Sequence, residues 1–82
     1  MKEKLLEKLK GKYVAAWCGV YIYSGQLEDW DDTHYLLTDA GVVYETGKLE
    51  APEFADFQKL PGDFWLVARQ AEESIGPAPQ RA

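Results

Sequence analysis

The chain has one cysteine, one histidine and few cations outside its first dozen residues. Each scarcity excludes a class of function. Cys18 alone cannot form an internal disulfide, and a single thiol among apolar neighbours suits a reducing, cytoplasmic setting. Its plain reading is a small buried hydrophobe. A nucleophile needs a base, and the only histidine is His34. With no Ser-His-Asp spacing and no glycine-rich phosphate loop, neither an enzyme nor a cofactor is expected. The longest apolar run, within Val14–Val20, falls far short of the roughly 20 residues that span a membrane. The charged first twelve residues do not read as a signal peptide. The acids Glu28, Asp29, Asp31 and Asp32 lie close to His34, but a calcium loop needs a central glycine and a distal glutamate at fixed spacing. Position 34 is His and position 40 is Ala, so no metal site is expected.

Charge is divided unevenly. Of the net −5, residues 1–12 contribute +3 and residues 13–58 contribute −8, with Lys48 the single cation in that middle stretch. Backbone affinity for nucleic acid scales with cation density, so a −8 middle makes nucleic acid an unlikely expectation as a partner.

Eighty-two residues form one domain, expected over 1–76 with a disordered tail at 77–82. Met1–Lys10 carries Leu5, Leu6 and Leu9 as a narrow apolar stripe and predicts a helix, with Gly11 as its left-handed stop. It is expected to cap a barrel end or a neighbouring subunit. Strands are predicted over 12–18, 20–28, 34–39, 42–46 and 64–69, with a last short strand over 71–75. The first is apolar on both faces, so both are expected to be covered. Gly25 suggests a bulge at a barrel corner. An acidic turn is expected over 29–33 and a break at Ala40–Gly41. Residues 47–60 read as an insert between the fourth and fifth strands, with Pro52 opening a helical turn that carries Phe54 and Phe57. The fold class is therefore mainly all-β: a small SH3-like barrel of five or six strands with an N-terminal helix. Its sheet edges need covering, which suggests a homo-oligomer.

Two resemblances sharpen this. Gly19, Gly25-Gln26-Leu27, Asp31 or Asp32, Tyr35-Leu36-Leu37 and Asp39-Ala40 are similar to the first motif of Sm-like proteins, oligomeric RNA-associated barrels. That resemblance places the family's Ile-Arg-Gly motif at Leu60-Pro61-Gly62-Asp63. It then puts the base-contacting Asn at about His34 and the motif's Arg at Pro61, replacing both residues of uridine recognition. Cys18-Gly19-Val20, Gly25-Gln26-Leu27, Leu37-Thr38-Asp39-Ala40 and Val43-Tyr44 also resemble small barrels of bacteriophages and mobile elements. Some of those act against host defences, and the resemblance implies a host-cell cytoplasmic protein of that type.

Eleven aromatic residues are too many for so small a core, so some are expected at interfaces. The candidate binding residues are Trp17, Tyr21, Tyr23, Trp30, Asp31, Asp32, His34, Lys59 and Arg69. Trp30, amid four acids, either folds back onto the barrel or makes contacts; as a contact residue it could be replaced by Ala at under about 1 kcal/mol. The cations Lys12, Lys59 and Arg69 flank the acidic middle and could meet a phosphate. The main expectation is a non-catalytic, phage-type binding protein that presents an acidic, aromatic surface to a host protein. The alternatives are an oligomer that binds a small nucleotide between subunits and an Sm-like RNA-binding ring.

Overall fold

The computed structural model describes residues 2–48 and 50–78. A short helix, α1 (Lys2–Leu6), precedes six strands: β1 (Tyr13–Cys18), β2 (Ile22–Trp30), β3 (His34–Glu45), β4 (Asp56–Lys59), β5 (Phe64–Ala68) and β6 (Glu72–Pro77). All pairings are antiparallel. The sheet runs β4-β3-β2-β1-β6, and β5 pairs with the first half of β3. The chain is thus a mainly β, six-stranded, strongly bent sheet with one N-terminal helix. No helix among the described residues is long and apolar enough to cross a membrane.

The helix is shorter than the expected Met1–Lys10. After Leu6 the backbone tightens: Lys8 N donates to Leu5 O and Leu9 N to Leu6 O, three residues back. Gly11 (φ 82°) then turns the chain, and its N–H donates to Leu27 O. Packing explains the change, since the tighter turns seat Leu6 in the core and Leu9 against it while Leu5 stays exposed.

Residues 34–45 form one strand where two were expected. Asp39 adopts a left-handed backbone (φ 51°), and opposite it the β2 register slips between Ser24 and Gln26. The strand therefore bends without breaking at Ala40–Gly41. The bend brings backbones close at Gly25, where a Cβ would lie 2.9 Å from Thr38 O and 3.0 Å from Ala40 Cα. Gly41 likewise makes room for the Phe57 ring.

The supposed insert is mostly strand and turn. No helical turn forms at Pro52; residues 56–59 become β4, which pairs with residues 41–45 of β3. Phe54 and Phe57 stack at 6.5 Å. The last strand extends to Pro77, two residues beyond expectation, and Ala78 N donates to Tyr13 O. Of the tail expected over 77–82, Pro77 and Ala78 are thus held against β1, and 79–82 lie outside the described residues.

Inside the bend sits the core: Leu6, Val14, Ala16, Leu27, Tyr35, Leu37, Ala40 and Val67. Ala15, on the opposite face of β1, is also buried, but Trp17 on that face is exposed, so the outer face is covered only in part, short of the covering expected on both sides. Of the eleven aromatics only Tyr35 is fully buried.

Candidate functional site

Asp31 organises the turn between β2 and β3. Its Oδ1 accepts hydrogen bonds from Thr33 N (2.8 Å), Thr33 Oγ1 (3.0 Å) and His34 N (2.8 Å). This is how an aspartate holds a tight turn. The three donors favour the ionised carboxylate and hold its pKa below the ordinary value. Thr33 Oγ1 lies 2.9 Å from His34 Nδ1, which orients the imidazole.

The second wall comes from the end of β5 and the short turn at residues 69–71. Arg69 N donates to Thr33 O at 2.8 Å, stitching the two turns together. Its guanidinium donates to Asp31 O, lies 5.3 Å from the centre of the Tyr35 ring and pairs with Glu3 of α1 at 2.8 Å. The hydrogen bond from Arg69 holds the Glu3 carboxyl below its ordinary pKa. Beneath the guanidinium, Tyr35 OH donates to Glu72 Oε1. Asp32, Thr33, His34, Ala68 and Gln70 line a hollow of about 380 Å³. His34 also borders a smaller hollow with Trp30, Asp31, Leu36 and Leu66.

The structure sorts the candidate residues. Asp31, Asp32, His34, Arg69 and Trp30 converge on these turns. Trp30 folds back onto the barrel: it is half-buried against the core, with Lys10 Nζ 5.9 Å from its ring centre. Tyr21 and Tyr23 sit elsewhere, tilted together at 6.1 Å beside a hollow between the β1–β2 turn and β5. Burial pushes the Tyr23 hydroxyl pKa up, and burial with Glu72 and Glu73 nearby does the same to the half-buried Cys18 thiol. Trp17 lies on the outer face of β1, near Lys48 and Phe54. Lys59 pairs with Asp39 at 3.0 Å, far along the sheet from His34. Among the described residues, no group of three or more metal-ligating side chains stands together.

The sequence reading missed Thr33, Gln70 and Glu3. Pro61 lies in the link between β4 and β5, whereas Ala68-Arg69-Gln70 meets the turn that carries His34. The apolar strand Phe64–Val67 leading into Arg69 was the available signal.

No protein-family model and no curated protein matches the chain. Solved structures similar to it include two Sm proteins. A heptameric archaeal Sm protein superposes with a TM-score of 0.70 at 20% identity, over 93% of this chain and 98% of its own. The P. aerophilum SmAP1 heptamer gives 0.72 at 20% identity, over 95% and 93% respectively. This overturns the main expectation, since the architecture is that of heptameric Sm proteins and neither fold nor comparison points to a phage-type inhibitor of a host protein. At this identity the likeness establishes the architecture: the chain has the Sm-like fold.

Proposed function

We propose that the protein is a subunit of an Sm-type homo-oligomeric ring that binds single-stranded RNA, with unpaired bases entering the hollow between residues 32–34 and 68–70. The observation that carries this reading is the meeting of Arg69 with the Asp31–His34 turn inside an Sm-like fold. An imidazole, a hydroxyl and an amide there can meet a base edge, and an imidazole face can stack on one. The acidic middle argues against a backbone lying across the barrel. Phosphate contacts fall instead to the exposed Lys4, Lys8 and Lys10 on and after α1.

Assembly has its own support. The outer edges of β6 and of β4 and β5 face no strand among the described residues. Free edges recruit further strands. Along β6 runs a groove of about 510 Å³ walled by Leu5, Leu6, Leu9 and Ile75. On β5, Phe64 and Leu66 are 55% and 51% exposed. A β5 edge laid against a neighbour's β6 would bring apolar side chains to an apolar groove. The solved structures of similar fold are heptamers.

Native mass spectrometry tests the ring, and fluorescence anisotropy with labelled oligouridine and oligoadenylate tests the ligand. The expected result is a closed oligomer that binds at least one probe, with His34→Ala weakening binding roughly tenfold, the scale of one stacked base. A monomer at every concentration, or no binding of either probe, overturns the reading.

A further inference from the structure

Arg69 is within reach of the hollow, yet its guanidinium does not line it. The charge is already engaged by the Glu3 carboxylate at 2.8 Å, and a second bond goes to Asp31 O. The Arg69 side chain is only 11% exposed, so little of it remains for solvent or ligand. What the hollow presents is an acid, a hydroxyl, an imidazole and an amide, with no lysine or arginine in its lining. We infer that Glu3 sets the ligand class of this site: by holding Arg69 against α1 it leaves a lining that accepts the edge of an uncharged base and turns away a phosphate.

Charge and donor supply decide what the hollow accepts. A phosphate needs a cation or a fork of N–H groups. Here Nη1 of the guanidinium is held by both Glu3 and Asp31 O, which fixes a side chain only 11% exposed, and Asp31 and Asp32 add repulsion. A uracil or adenine edge needs only neutral donors and acceptors, which the His34 imidazole and the Gln70 amide provide, the Thr33 hydroxyl being turned to Asp31 and His34. Glu3 is therefore a specificity-determining residue placed far from the hollow in sequence. The inference rests on the reading of this hollow as a base site.

The test uses the full chain and inorganic phosphate. The sequence contains only two arginines, Arg69 and Arg81, so their side-chain Nε–Hε signals are readily told apart by NMR. In the unaltered protein the Arg69 signal is expected to stay in place as phosphate is added. In Glu3→Gln it is expected to move and saturate. Glu7→Gln, an equal charge change one turn along, is expected to behave like the unaltered protein. A phosphate response as strong in the unaltered protein, or none in Glu3→Gln, overturns the inference. Oligouridine supplies the second arm. Glu3→Gln is expected to bind roughly two- to fivefold tighter, the worth of one partly exposed ion pair. Its salt dependence should steepen by about 0.7 in log–log slope for one added phosphate contact. If the phosphate arm holds while no variant binds oligouridine, the RNA reading falls and the Glu3–Arg69 assignment stands. If oligouridine binds and the phosphate arm fails, the reverse follows.

Discussion

Arg69 ties together three distant parts of the chain: α1 through Glu3, the β2–β3 turn through Asp31, and the core through the Tyr35 ring. A lysine keeps the charge and loses the planar fork. Arg69→Lys is expected to cost about 1–2 kcal/mol in urea unfolding, within the usual range for bonds to charged groups. Trp30, packed against the core and covered by Lys10, is worth more than a surface residue. Trp30→Ala should lose about 2–3 kcal/mol, somewhat below the cost for a fully buried ring, and a loss under about 1 kcal/mol would place it outside the core. Asp31 predicts a pH dependence. Its folded pKa lies below the ordinary 3.8, so its contribution is present in full above that value and disappears as pH falls through the lower, folded value. The melting temperature should drop across that acid window, and Asp31→Asn should flatten the drop. Of the site, Asp31, His34 and Arg69 were legible because charged and titratable residues stand out beside strand ends. Glu3 was not, because its meaning depends on a contact 66 positions away, which no local pattern encodes.

At the scale of elements, β3 governs the fold. It pairs with β2 on one side and with β5 and then β4 on the other, so its bend at Asp39 shapes the whole barrel. Gly25 sits where that bend forces two backbones together. Gly25→Ala should therefore cost about 1–3 kcal/mol as overpacking against main chain that cannot move aside. The strands of 13–18, 22–30 and 64–68 were readable from aromatic and β-branched content. The continuity of β3 was not, because Ala40–Gly41 looks like a turn and only the slipped β2 register shows that pairing continues. β4 was hidden for a related reason. Asp-Phe-Gln-Lys has little strand character of its own, and it is held by β3 rather than by propensity. Edges can be tested separately from cores. Leu66 is half exposed, so Leu66→Lys should leave monomer stability within about 0.5 kcal/mol. It should nonetheless shift the oligomer toward monomer in sedimentation, since an edge lysine opposes strand addition.

For the molecule as a whole, charge and openness act together. The +3 of residues 1–12 and the −8 of residues 13–58 place opposite charges in one small body, which favours copies that meet basic segment to acidic flank. The seam between β5 and β6 is open, since the two do not pair with each other among the described residues. In the proposed ring, the bonds that close each barrel belong to two chains at once. Folding and association then share one free energy, and protein concentration becomes a variable of stability in its own right. Dilution acts on such a molecule as a mild denaturant, and its melting temperature rises with every increase in the number of copies present.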